Sequence, residues 1–447
     1  MLVEYLPFWI ADYLAAWLFL VLTIALMAGF PVTFTMMGTS FLFGLIGLSP
    51  MFFDLLPLRM WGIMTNTMLM AVPLFIFMGL ALERSGLAKE LLETMEELFR
   101  NVRGGLAISV VVVGALLGAS TGIVGATVVT MGLMSLPTML KHKYSRSFAS
   151  GTVAASGTLG QIIPPSLVLL LLGPVMEVPI GDMFIGAVIP GLILVGLYCL
   201  FIWGASFFGT RHVPAAHESG MVFDRQFTVR ILIALVPPLF LILAVLGTIF
   251  AGIATPTESG AMGAVGAILL TALNRKLSFE LLHEVAKGTI RMTCMVFIII
   301  MGATCFALVF RGLGGDDLLR EFVDSLHLQG WQLVTMVMIF IFILGFFLDF
   351  IEITYIHIPI IAPIVVDYGY DPLWFGIMFA VNLQTSFMTP PFGPSLFYLK
   401  GVCPAEIRTT DLYKGIIPFV ILQLIGLFII ALFPGLVTWL PKLVYGN

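Results

Sequence analysis

Charge is scarce in this chain: 25 Asp and Glu with 21 Lys and Arg make 10% of its 447 residues. A water-soluble domain carries about a quarter. With 60% hydrophobic residues, 25 Met and 38 Phe, the apolar surface exceeds what one water-facing core hides. Lipid is therefore expected to solvate much of it. Cysteine is nearly absent as well. Cys199, Cys294, Cys305 and Cys403 lie within or beside apolar runs, with neither disulfide-framework nor CxxC spacing, and are expected to pack as small residues. The net charge of -4 carries no nucleic-acid signal. There is no GxxxxGK[ST], which excludes ATP hydrolysis by this chain, and no HExxH or GxSxG. Nothing sets a nucleophile beside a base, so no catalytic residue is assigned. No Lys or Arg precedes Arg59, so the first apolar run lacks a signal's basic region and is expected to remain as a span.

What is present is a series of apolar runs. Those near 13-30, 33-49, 65-83, 183-208, 229-252, 257-273, 291-311 and 413-440 are long enough to cross about 30 Å of hydrocarbon. Regions 105-140 and 331-367 are too long for one span, carry small or polar residues at their centres, and read as re-entrant hairpins. Regions 146-178 and 373-400 read as single crossings broken midway by polar, Gly and Pro residues. Basic residues support this layout. Seventeen fall on one side and four (Arg59, Arg311, Arg320 and Lys442) on the other, which makes the first side cytoplasmic. A single crossing at 105-140 would split its basic flanks, Arg100 and Arg103 from Lys141 and Lys143, between faces.

An internal repeat gives the same result. Pro137 precedes Pro164-Pro165 by 27 residues, and Pro363 precedes Pro390-Pro391 by 27, at an offset of 226. Tyr144 then matches Tyr370, Ala154 matches Ala380, and Gly86-Leu87 matches Gly312-Leu313. The expected fold is an all-α polytopic membrane protein of two inverted repeats, 1-208 and 229-447, joined by a cytoplasmic linker, 209-228. Each repeat would hold about five crossings, one hairpin and one broken helix, the arrangement of secondary transporters. Amphipathic stretches 84-103 and 312-328 occupy matching places and are expected to lie along the membrane surface.

Polar residues gather at the breaks. In the first half they are Gly118-Ala119-Ser120-Thr121-Gly122 and Ser156-Gly157-Thr158-Leu159-Gly160-Gln161, the latter running into Pro164-Pro165-Ser166. In the second they are Asp349 and Glu352, three apart, and Asn382-Leu383-Gln384-Thr385-Ser386, followed by Thr389, Pro390, Pro391 and Gly393. Prolines remove backbone donors and glycines allow turns. Unwound carbonyls then need a partner, and a monovalent cation is a suitable one. The half-helix resuming after each break aims its N-terminus at the cavity, which favours an anionic group near Pro164, Pro165 and Ser166, and near Pro390, Pro391 and Gly393. Gly118 and Gly122 also fit simple GxxxG helix packing. Asp349 and Glu352 divide between a site and a structural role, and His357 reads as hydrogen-bonded structure.

The segments GASTGIVGATVVTMGLMSLPTM (118-139), SGTLGQIIPPS (156-166), GIATPTESGA (252-261) and NLQTSFMTPPFG (382-393) resemble the large membrane subunit of TRAP transporters, the DctM-like family. The resemblance implies a small four-helix membrane subunit, a periplasmic substrate-binding protein, and sodium-coupled import of a small organic acid across the bacterial inner membrane. It further implies elevator motion, with the hairpins and broken helices moving and 84-103 and 312-328 as arms. No cofactor beyond sodium is implied. Carried over, a first sodium would lie among Ser120, Thr121, Gly122, Ser156, Gly157, Thr158 and Gly160. A second would lie among Asp349, Glu352, Asn382, Thr385, Ser386 and Thr389. Glu258 matches a family motif but is expected to be structural. At the repeat offset Ile123 and Ala126 answer to Asp349 and Glu352, so the second site need not copy the first. Two other readings are a stand-alone sodium/carboxylate symporter and a membrane hydrolase built on Asp349, Glu352 and His357.

Overall fold

The computed structural model describes residues 7-99, 102-122, 124-208, 213 and 225-446, and among these the regular structure is helical throughout. The first part runs α1 (Phe8–Ala11), α2 (Leu14–Met27), α3 (Val32–Gly47), α4 (Leu55–Met64), α5 (Ala71–Arg84) and α6 (Leu87–Leu98). A hairpin of α7 (Gly105–Thr121) and α8 (Val124–Lys141) follows, then α9 (Arg146–Thr158), a 3₁₀ turn at Leu159–Gln161, α10 (Leu167–Val175) and α11 (Ile180–Phe208). Next come α12 (Arg225–Phe250), α13 (Pro256–Leu273), α14 (Phe279–Gly312) and α15 (Gly315–Ser325). The second hairpin is α16 (Gly330–Leu344), α17 (Phe350–Ile356) and α18 (Ile358–Asp367). The chain closes with α19 (Pro372–Met388), α20 (Pro394–Val402), α21 (Thr409–Leu432) and α22 (Gly435–Tyr445). Among the described residues, four continuous helices are long and apolar enough to cross a membrane, and two bent pairs qualify when each is taken as one span. Phe240, Leu243, Leu269 and Phe428 are exposed on apolar helices, as expected where hydrocarbon is the solvent.

Both long regions fold back on themselves. The Tyr144 hydroxyl bonds the backbone of Ala107, and His142 Nε2 lies 3.2 Å from Glu96 Oε1, so the two ends of the first hairpin meet. In the second, a methyl group added to Gly330 would stand 3.1 Å from the Tyr370 ring. The tyrosines paired by the sequence repeat thus close the two hairpins. Residues counted as cytoplasmic also meet in space. Arg84 pairs with Glu284, Lys276 lies 3.9 Å from Glu90, and Arg146 lies 3.8 Å from Glu406.

Several boundaries differ from expectation. The run 413-440 is two helices, because Pro434 supplies no backbone donor and α22 restarts after it. The run 291-311 extends back to Phe279, where the Ser278 hydroxyl caps α14 by accepting from Leu281 N at 3.1 Å. The run 65-83 becomes α5 preceded by a short 3₁₀ turn, with α4 bent 54° from it. The second hairpin has three helices rather than two, bent by 57° between α17 and α18. Of the linker 209-228, most lies outside the described residues, and α12 takes over from Arg225. The matched glycines slip by two positions. Gly86 heads α6 at φ 75°, but its conformational counterpart is Gly314, heading α15 at φ 74°, not Gly312. Only a residue without Cβ adopts this left-handed elbow cheaply.

The core interleaves the two hairpins with the two broken helices. α9 packs between α7 and α8, α20 lies on α8, α10 on α17, and α19 on α16 and α18. Around this sit α5 with α13 and α14, α3 with α14, and α12 with α13. Between α2, α15, α16 and α18 lies a cavity of about 900 Å³, lined by Phe19, Leu319, Phe340, His357 and Ile361 among others.

Glycines of α7 let its backbone come close to α9 and to the 3₁₀ turn that follows it. A methyl on Gly118 would come within 2.5 Å of Gly160 Cα, and one on Gly114 within 2.7 Å of Ser156 Cβ. Gly118→Val and Gly160→Val are each expected to lower the unfolding temperature in detergent by several degrees, since backbone cannot yield. Gly196, with open space around its Cα, is the control: Gly196→Ala should leave that temperature unchanged in the same scan.

Candidate functional site

The first break begins where α9 gives way to the Leu159–Gln161 turn and ends at Ser166, the N-cap of α10. The Ser166 hydroxyl donates to Gln161 O at 2.5 Å and accepts from Leu169 N at 3.5 Å. The tip of the first hairpin rests on this break. Gly122 ends α7 at φ 63°, and a methyl there would stand 3.1 Å from Leu167 N. Gly157 faces α8, where a methyl would come 2.9 Å from Val128 Cα. Gly122, Ser156, Gly157, Thr158 and Gly160 are therefore brought together. Ser120 and Thr121 end α7, and their side chains, with all of Ile123, lie outside the described residues. The Ser156 hydroxyl donates to Val153 O at 3.0 Å and that of Thr158 to Ala155 O at 2.8 Å. Each keeps an oxygen lone pair for another partner.

The second break spans Thr389 to Gly393, between α19 and α20. The Ser395 hydroxyl donates to Phe387 O at 2.8 Å, and Tyr413 OH donates to Pro391 O at 3.1 Å. Ser166 and Ser395 thus brace carbonyls at positions 161 and 387, which are 226 apart. Both proline pairs, Pro164-Pro165 and Pro390-Pro391, are joined by cis peptide bonds. Asn382 Nδ2 donates to Met338 O of α16 at 2.7 Å, and a methyl on Gly345 would collide with the Ser386 hydroxyl. Phe347 meets Phe392 with ring centroids 5.3 Å apart. Thr385 Oγ1 lies 2.8 Å from Val381 O and from Gln423 Oε1, while Gln423 Nε2 donates to Tyr198 OH at 2.8 Å. The hydroxyls of Ser386 and Thr389 donate to Leu383 O at 2.8 Å and Thr385 O at 2.7 Å.

Asp349 and Glu352 form a capping box on α17. Phe350 N donates to Asp349 Oδ1 at 2.8 Å, and Asp349 N donates to Glu352 Oε2 at 3.2 Å. Their helix packs on α10 and α14, whereas Met338, Gly345 and Phe347 make the hairpin's contact with the second break. Buried His357 lies edge-on to Phe19 and Phe340, at centroid distances of 5.5 and 5.7 Å. Glu258 Oε2 accepts from Thr255 N at 2.8 Å, capping α13 at an exposed end.

Sequence reasoning missed Ser395, Gln423 and Tyr198. Gln423 was findable as a lone amide in the apolar run of α21, since intramembrane polar groups are costly and need partners. Across the two breaks, Gln384 Nε2 donates to Thr158 Oγ1 at 3.5 Å. No group of three His, Cys, Asp or Glu suited to a metal occurs among the described residues. A cation at these breaks would meet neutral oxygens.

Residues 17-436 match the family model described as the DctM component of the tripartite ATP-independent periplasmic transporter. The chain belongs to that family. Its DctM component is a transport permease and not an enzyme. Among similar proteins is the C4-dicarboxylate TRAP transporter large permease protein DctM of Rhodobacter capsulatus, 30% identical over 439 residues, covering 94% of this chain and 98% of that one. The ectoine/5-hydroxyectoine large permease UehC of Ruegeria pomeroyi is 28% identical, covering 97% and 100%. The sialic acid large permease SiaM of Vibrio cholerae is 27% identical, covering 94% and 97%. In fold, this DctM-family chain resembles the YdaH transporter of Alcanivorax borkumensis, with a TM-score of 0.62 at 14% identity, covering 86% and 88% of the two chains.

The capping box separates charge from hydrogen bonding at Glu352. Glu352→Gln keeps an acceptor for Asp349 N and is expected to unfold within a degree of wild type. Glu352→Ala should lose about 1 kcal/mol, read as a lower denaturation midpoint in detergent.

Proposed function

We propose that this permease carries a small organic acid into the cell with sodium as the coupling ion, receiving its substrate from a periplasmic binding protein. A small membrane subunit completes the complex in the bacterial inner membrane. Relatives named for C4-dicarboxylates and sialic acid support an acid as cargo. In this reading the chain is two inverted repeats, 1-208 and 229-447, each presenting one cation site where a hairpin tip meets a broken helix. Ser120, Thr121, Gly122, Ser156, Gly157, Thr158 and Gly160 serve the first ion. Asn382, Thr385, Ser386 and Thr389 serve the second, with Asp349 and Glu352 holding the tip beside it. The substrate's anionic group lies toward Pro164, Pro165, Ser166, Pro390, Pro391 and Gly393.

One observation carries this reading: the Thr158–Gln384 hydrogen bond joins residues 226 positions apart, the repeat offset itself. Positions equivalent under a twofold axis meet only at that axis. In this reading the two broken helices meet beside that axis, and the unwound backbone that follows each of them grips the ion of its own half. The surface helices α6 and α15 suit arms of an elevator. Each is tied to its hairpin's end, by Glu96–His142 at 3.2 Å and by Arg320–Asp367 at 2.9 Å.

Proteoliposomes holding the chain, its small subunit and the cognate binding protein should take up acid in a sodium gradient. Without the binding protein uptake should cease, which a stand-alone symporter would not require. Ser120→Ala and Asn382→Ala are each expected to raise the sodium concentration for half-maximal uptake severalfold. Unchanged sodium dependence in both variants removes the site assignment.

A further inference from the structure

Gln161 is 1% exposed, and neither its amide nitrogen nor its carbonyl oxygen has a hydrogen-bond partner. It closes the 3₁₀ turn that packs against α19. On that helix Gln384, wholly buried, gives its nitrogen to Thr158 while its oxygen stays without a partner. Turning the Gln384 amide over would not help. Its oxygen would then face the Thr158 hydroxyl, whose proton already goes to Ala155 O at 2.8 Å. A buried amide left unbonded costs much of its desolvation penalty. One whole amide and half of a second bear that cost where the two broken helices meet.

We propose that Gln161 and Gln384 recognise the cargo, and that the cargo is an acid bearing at least one hydroxyl group. This rests on the transport reading above and narrows its substrate class. Two of the three unpartnered atoms are carbonyl oxygens, which only accept. An ionised carboxylate also only accepts, so a plain mono- or dicarboxylate satisfies the Gln161 nitrogen and leaves both oxygens bare. A hydroxyl supplies the missing donor. A 2-hydroxy acid or a sugar acid offers carboxylate and hydroxyl together. Both amides are sealed from solvent here, so cargo reaches them only when a hairpin tip parts from its break.

The test uses the full chain in lipid nanodiscs and thermal unfolding as readout. Malate is compared with succinate, lactate with propionate, and gluconate with hexanoate, each titrated in sodium and in potassium chloride. For wild type in sodium, the hydroxy acid should reach half-maximal stabilisation at about tenfold lower concentration than its deoxy partner in at least one pair. Gln161→Met and Gln384→Met should erase that difference. Gln161→Met should also raise the unfolding temperature of the ligand-free protein, because it removes the unbonded amide; a purely structural glutamine would lower it. The proposal falls if no hydroxy acid outperforms its partner, or if the difference survives both substitutions. Stabilisation by sodium without hydroxyl preference sinks this inference and leaves the coupling reading standing. Hydroxyl preference that is equal in sodium and potassium does the reverse.

Discussion

Backbone carbonyl and amide groups cannot go unbonded in hydrocarbon, and that constraint organises this molecule. A continuous helix satisfies them internally, so every interruption has to be justified by a partner nearby. The chain interrupts itself at 162-166 and 389-393 and surrounds both places with hydroxyls, glycines and hairpin tips. Ser166 and Ser395 each return one carbonyl to a bonded state, and Tyr413 takes another. The remaining packing follows from holding these interruptions at one place: each break is covered by a hairpin of its own half and touched by an element of the other.

The helical membrane class, the folding back of both long regions and the interruptions at the two proline pairs were legible because each leaves a composition trace. Prolines marked the breaks. Helix ends were less legible where a local hydrogen bond decides them. Ser278 extends α14 well beyond its apolar run, and Pro434 divides a run that hydropathy reads as continuous. The glycine elbow before α15 sits two residues from its sequence match, since conformation, not alignment, selects where a left-handed turn falls.

At the site, residue type was more legible than role. Asn382, an expected ion ligand, also ties α19 to α16 through its amide nitrogen. The carboxylates Asp349 and Glu352 look like a charged pair from spacing alone, and the coordinates show them capping a helix. Both facts depend on tertiary neighbours that no local pattern reveals. Gln161 and Gln384 carry no local pattern of their own, because an unbonded amide becomes informative only once its surroundings are known. The same holds for Gln423, whose partners come from α11 and α19.

The seam of Gly114, Gly118 and Gly160 has a mechanical corollary. Where Gly118 lies on Gly160, main chain meets main chain with no rotamers to exchange, so this contact either holds as it is or opens whole. Side chains, by contrast, line the space of about 900 Å³ between α2, α15 and the second hairpin. The ring of His357, set between Phe19 and Phe340, borders that space, so it can turn there without any movement of the backbone.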